Sequence, residues 1–222
     1  YVDPDGAWVP GADDDGNVTV TAEKDDDYGT LMDFLKNNDL TIEQTKTLAA
    51  SIETHVAGQE KGKETIEGLS INLTSQIGGV FQEMTTAINE SKERNNPTTD
   101  EALYDPAAYY SRNTSDNYNC WGTCIALNKG EKLEGTGPGT GVGIPTPASF
   151  DMELSLDYTP GDHSGAIVGS TAMRWSTGTY DAATHGAIYM GTDRSGNQYV
   201  FSKNGWKVQP AIFKTTYIDA IP

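Results

Sequence analysis

The chain has no apolar run approaching the roughly 18–20 residues that a helical membrane span requires, so stable membrane insertion through a helix is excluded. It has only two cysteines, Cys120 and Cys124, too few and too close together to form a disulfide framework. A chain of 222 residues can bury one substantial core, or one core with a satellite, and needs no such staples. Basic residues are scarce: 15 Lys and Arg face 32 Asp and Glu, for a net charge of -17. Phosphate backbones are held by Lys and Arg and repelled by an acidic field, so nucleic acid is excluded as a partner. The first residues lack the basic-then-apolar layout of a signal peptide, and export is expected to rely on another device.

The acids are uneven. Residues 1–97 carry 19 acids against 7 bases, and residues 98–222 carry 13 against 8. A solvated face accounts for such a surplus, and a docking surface for a basic partner is the alternative. Residues 1–27 are rich in Asp, Gly and Pro, and only Asn17-Val18-Thr19-Val20-Thr21 alternates as a short strand, so little core is expected there. Asp13-Asp14-Asp15-Gly16-Asn17 fails as a calcium loop, because counting back from Gly16 puts Gly11 where the first acid should be.

From Tyr28 the pattern turns helical. Leu31, Phe34 and Leu35 form one stripe, and after the turn at Asn37-Asn38-Asp39 a second helix opens at Thr41, with Gln44 placed to complete a capping box. Ile66, Leu69, Leu73, Ile77, Val80, Phe81, Met84 and Ile88 fall at steps of three and four, which predicts a third, longer helix interrupted at Gly78-Gly79. Asn95-Asn96-Pro97 breaks the pattern and marks the expected boundary between an acidic, mainly helical region, 1–97, and a second domain, 98–222. Beyond Cys120 lies an apolar helix, then a glycine-rich stretch from Gly130 to Pro147 that reads as a loop. Phe150-Asp151-Met152-Glu153-Leu154-Ser155-Leu156 alternates as a strand, and residues 172–175 are a short strand. Residues 185–190 and 198–202 flank a turn at Asp193-Arg194-Ser195-Gly196-Asn197 and form an antiparallel hairpin.

Cys120 follows the polar run Ser115-Asp116-Asn117-Tyr118-Asn119 and opens the apolar helix, whereas Cys124 sits inside it, as a core cysteine does. A helix N-terminus and a nearby imidazole favour the thiolate, so Cys120 is the candidate nucleophile. Of three histidines, His55 lies among Glu53 and Gln59 and His163 in a turn; His185 alone enters an apolar strand and is the candidate base. The hairpin puts Ser202 and Asn204 at the same sheet edge, and either can orient the ring, through its hydroxyl or its amide carbonyl. The oxyanion donor is expected to be the Cys120 N–H with a neighbour among Tyr118, Asn119 and Trp121. Cys120, Cys124 and His185 lack a finger-like spacing and a fourth ligand, so no metal is expected, and no cofactor.

Asn119-Cys120 at a helix start, Thr184-His185-Gly186-Ala187-Ile188-Tyr189-Met190-Gly191, and Tyr199-Val200-Phe201-Ser202-Lys203-Asn204-Gly205-Trp206 together resemble the papain-like cysteine hydrolases of the NlpC/P60 and amidase-effector type. The likeness covers about residues 115–206, with Asn119-Cys120-Trp121-Gly122 where that family commonly has Asp-Cys-Ser-Gly. Tyr1-Val2-Asp3-Pro4-Asp5-Gly6 resembles the close of the core in Rhs-repeat polymorphic toxins, and residues 18–52 resemble the strand-helix-helix opening of LysM wall-binding modules, without a convincing final strand. These resemblances imply an α+β chain, with a helical N-terminal region, of accessory or wall-binding role, before a papain-like domain. They also imply a toxin tail delivered to the target-cell periplasm, hydrolysis of amide bonds in peptidoglycan stem peptides, and a cognate immunity protein. The same constellation also suits a deamidase or transglutaminase acting on a cytosolic protein, and a binding or delivery module with a core cysteine is the non-enzymatic alternative.

Overall fold

A computed structural model describes residues 8–94, 120–130, 147–161, 165–176, 183–203 and 210–216. The Tyr1–Gly6 motif, the break at Pro97, Tyr118, Asn119, His163, Asn204 and nearly all of the glycine-rich stretch after Gly130 lie outside the described residues. The fold is α+β, with helices packed on two antiparallel sheets.

The first sheet has the order β1-β2-β3, built from Val9–Ala12, Val18–Thr21 and Ser70–Asn72. Pro10 donates no backbone hydrogen bond and accordingly lies on the edge strand β1. Residues 13–17 close the β1–β2 hairpin. The Asp13 carboxylate accepts from the backbone and side-chain nitrogens of Asn17, at 2.8 and 3.0 Å, and Gly16 takes φ +77°. The sequence that fails as a calcium loop is thus a hairpin turn, with its glycine in the left-handed position that a side chain would disfavour. Residues before Tyr28 contribute more core than their composition suggests, since Trp8, Val18 and Val20 are fully buried.

Helices α1 (Tyr28–Leu35) and α2 (Ile42–Val56) follow, each opened by a capping box. At α2 the pair is the expected one: Thr41 Oγ1 accepts from the Gln44 N–H at 3.2 Å, and Gln44 Oε1 accepts from the Thr41 N–H at 2.7 Å. The long helix expected from Ile66 is instead divided. Gly68 turns the chain at φ +79°, β3 pairs antiparallel with β2, a short α3 (Leu73–Gln76) is capped by Asn72, and α4 (Val80–Arg94) begins after Gly78 and Gly79, both at positive φ. Around β3 the apolar residues obey a period of two: Ile71 and Leu73 are buried and Ser70 is exposed. The run β2-α1-α2-β3 therefore has the final strand that the sequence did not announce.

The second sheet is a meander, β4-β5-β6-β7, of Ala172–Ser176, Ala183–Thr192, Gln198–Ser202 and Ala211–Lys214. Helices α5 (Cys120–Asn128) and α6 (Pro147–Asp157) pack on β5. The strand expected at residues 150–156 is part of α6. Pro147 occupies its first position, where a missing N–H costs nothing, and Phe150 and Leu154, four apart, pack inward, leaving Met152 and Leu156 exposed.

One continuous hydrophobic core joins the residues on either side of position 97. Two contacts grip the far end of the β5–β6 hairpin. The Phe34 ring of α1 lies where a Cβ on Gly191 would stand, and Gly191 has φ +122°. Arg194, in the turn, donates from Nη2 to Asp26 Oδ1 at 2.9 Å and from its backbone N–H to Glu23 Oε2 at 3.1 Å. The Asp26 side chain is fully buried. Part of the acidic surplus is therefore structural, and Arg194→Ala is expected to lower stability by ~2 kcal/mol, the loss of the hydrogen bond to the buried Asp26 carboxylate. Urea unfolding measures it; an unchanged midpoint would show that the two halves do not depend on this pair.

Candidate active site

Cys120 is the first residue of α5, so its N–H and that of Trp121 are among those a helix leaves without an intrahelical acceptor. Seven of the nine residues in α5 are buried, which presses the helix onto β5. One turn in, the Cys124 thiol donates to the Ala187 carbonyl at 3.3 Å. The same register brings Cys120 to Gly186, whose N–H reaches the sulfur.

His185 is the third residue of β5 and is buried. Its Nε2 lies 2.9 Å from Ser202 Oγ, and Ser202 Oγ donates to the Gly186 carbonyl at 3.1 Å. A serine has one proton to give, and a carbonyl only accepts. With that proton committed to Gly186, Ser202 must accept from His185. Neutral His185 therefore carries its proton on Nε2, and Nδ1 holds the lone pair that a base needs. Ser202 is the orienting group brought to the ring; Asn204, its rival, lies outside the described residues, as do the expected oxyanion neighbours Tyr118 and Asn119. Trp121 is described, and its indole N–H is buried with no hydrogen bond among the described residues.

Electrostatics at the sulfur are a contest. Burial pushes the Cys120 thiol up to about 11, against the pull of the N–H groups of Gly186, Trp121 and Cys120 itself. Cys124, wholly enclosed, is pushed up further, by burial and by the neighbouring Cys120. At neutral pH Cys120 is a thiol, and attack by its sulfur would require a base to take the proton. Cys124 has neither the N-terminal amides nor an acceptor other than the Ala187 carbonyl, which accounts for its place in the core.

Gly186 and Trp175 are the contributors that sequence reasoning missed. Gly186 serves the site through both backbone polar atoms, and a Cβ there would stand 2.7 Å from the Phe150 ring of α6. Phe150 is fully buried, and α6 is further tied by Asp151, which accepts from Arg174 Nε at 2.6 Å and from the Ala183 N–H at 3.2 Å. The Arg174 hydrogen bond chiefly holds the Asp151 carboxyl below its ordinary range. The small residue after the candidate base was the one available sign of Gly186. Trp175 pairs across the strands with His185. Among the described residues, no group of three or more His, Cys, Asp or Glu stands together to hold a metal ion, and no helix is long and apolar enough to cross a membrane.

Gly186→Ala is expected to cost ~1–3 kcal/mol through overpacking against Phe150 and to slow alkylation of Cys120; wild-type stability and labelling together would refute the close fit. For pH, an unfolded thiol releases its proton near 9 and Cys120 in the fold at about 11, so the fold keeps a proton that the unfolded chain loses. Stability should fall as pH rises from about 9 to about 11, and less steeply in Cys120→Ala; equal slopes in chemical denaturation would contradict the burial of that thiol. No family model, curated protein or solved structure matches the chain.

Proposed function

We propose that the chain is a cysteine-dependent amide hydrolase with a papain-like catalytic half, acting as the toxin domain of a delivered effector. The observation that carries this reading is the Gly186 backbone, whose N–H meets the Cys120 sulfur and whose carbonyl takes the Ser202 proton, so that the imidazole beside it presents a basic Nδ1. The order helix-start Cys, strand His, next-strand polar residue is that of the resemblance in residues 115–206.

In this reading His185 Nδ1 takes the thiol proton as Cys120 Sγ attacks the amide carbonyl. Coupling the two events answers the high pKa of the buried thiol, since no free thiolate has to persist. The oxyanion that develops on the former carbonyl oxygen is assigned to the helix start, with the Cys120 N–H as its donor. His185 returns the proton to the leaving amine, a thioester remains on Cys120, and water, deprotonated by the same ring, releases the acid and restores the thiol. Ser202 holds the tautomer throughout.

Peptidoglycan stem peptides are the proposed substrate, reached in the target-cell periplasm, and a cognate immunity protein is the proposed partner. The β2-α1-α2-β3 run supports a wall-directed accessory role for the N-terminal half, since antiparallel pairing of β2 with β3 completes the strand-helix-helix-strand order whose opening resembles LysM modules.

Purified peptidoglycan is digested with wild-type protein, Cys120→Ala and His185→Ala, and the products are weighed by mass spectrometry. New muropeptides from the wild type alone are expected, with at least ~10³-fold less from either variant. An untouched wall in all three samples would remove peptidoglycan as substrate and turn the search to glutamine side chains of cytosolic proteins, where the same thioester serves deamidation or cross-linking.

A further inference from the structure

We propose that Trp175 is a positioning residue for His185: its indole fixes the plane of the imidazole, while Ser202 fixes its direction. The inference rests on the reading of His185 as the base, but the ring geometry that carries it belongs to the free protein.

Antiparallel pairing places Trp175 of β4 directly opposite His185 of β5. The next pair in the register is Ser176 with Ala183, so Thr184 is an extra residue on β5 immediately before the histidine. An inserted residue bends and twists its strand and re-aims the neighbouring side chain. The two rings meet at this irregularity, with centroids 5.6 Å apart and planes at 69°, the edge-to-face arrangement that aromatic quadrupoles favour.

A second contact on the ring has a mechanical purpose. The hydrogen bond from Nε2 to Ser202 sets the direction of one ring nitrogen, and a swing of the imidazole plane about its Cβ–Cγ bond is what a contact on the ring itself opposes. Ser202 is also a neutral acceptor whose own proton is spent on Gly186, so what it selects is the tautomer. The indole blocks the swing. It is itself held, because Trp175 packs against the hydrophobic core and its neighbour Arg174 is bonded through Nε and Nη2 to both carboxylate oxygens of Asp151, at 2.6 and 3.1 Å. Helix α6 thereby supports β4 as well as Gly186.

Trp175→Phe and Trp175→Val test this, both residues being at home in a strand; if the valine variant does not fold, Trp175→Met replaces it. Two quantities are read: the ¹⁵N shifts of the His185 ring in the substrate-free protein, and the steady-state parameters on peptidoglycan. Wild type and Trp175→Phe are expected to show the Nε2–H tautomer and activities within a few-fold of each other. Trp175→Val is expected to keep that tautomer, with ring shifts displaced from wild type as the plane swings, and to show a kcat lower by about tenfold to a hundredfold, the usual consequence of misplacing a reacting group, with KM unchanged. Wild-type shifts and kcat in a folded Trp175→Val, or a drop in KM-dependent binding alone, would overturn the proposal. Because the shifts are read without substrate, a chain that cleaves no wall would retire the hydrolase reading while the restraint of the ring is still decided by the shifts.

Discussion

Both backbone polar groups of Gly186 are engaged in the candidate site, and the rest of the arrangement depends on that. Its N–H points at the sulfur of Cys120, its carbonyl takes the proton of Ser202, and the serine, its proton spent, can only accept from His185. One residue, through the two peptide units on either side of its Cα, thus couples the helix that carries the thiol to the strand pair that carries the imidazole. The absence of a side chain is part of the device, because the Phe150 ring occupies the space a Cβ would take and brings α6 against the same strand. Loss of either backbone contact would alter the tautomer or the surroundings of the thiol without touching any group that reacts.

The N-terminal half secures the other end of the same strands. β5 runs from His185 to the bulge at Gly191, where the Phe34 ring docks, and into the turn whose Arg194 is held by Glu23, Asp25 and Asp26. Within that turn Asp193 accepts from the backbone of Ser195 and Asn197, from the Asn197 side chain and from the Tyr199 hydroxyl. It is the same Asp-x-x-Gly-Asn construction as residues 13–17, with Gly196 at φ +80°. Two hairpins, one in each half, use one turn chemistry, and the second is additionally clamped by acids of the first half.

Sequence patterns revealed the parts whose signal is local. The β5–β6 hairpin was legible because a turn of fixed chemistry separates two alternating runs, and the α2 capping box because Thr41 and Gln44 occupy its two positions. The chemistry-bearing types at the site, Cys120, His185 and Ser202, were legible for the same reason, each sitting at the end of a regular element. Residues 150–156 were not, since Phe150, Met152, Leu154 and Leu156 satisfy a period of two as well as a spacing of four, and the packing of Phe150 against Gly186 belongs to the helix. The stretch at Ile71 failed in the opposite sense: helical spacing from Ile66 to Ile88 hid a strand that exists because β2 has an edge to pair. Gly186 and Trp175 act through a backbone and a cross-strand register, and neither leaves a side-chain pattern to read.

The separation in sequence of the site's components sets the order in which it is assembled. His185 and Ser202 are 17 residues apart in a hairpin, a unit that closes in ~1–10 μs. The thiol helix reaches β5 from much farther along the chain, its Cys124 contact spanning 63 residues, and such long loops close late because their entropy is lost before contacts compensate it. The imidazole and its orienting hydroxyl therefore meet before the sulfur docks. A chain in which α5 has not yet packed has an oriented imidazole but no thiol beside it, so the candidate site is complete only once that helix is seated.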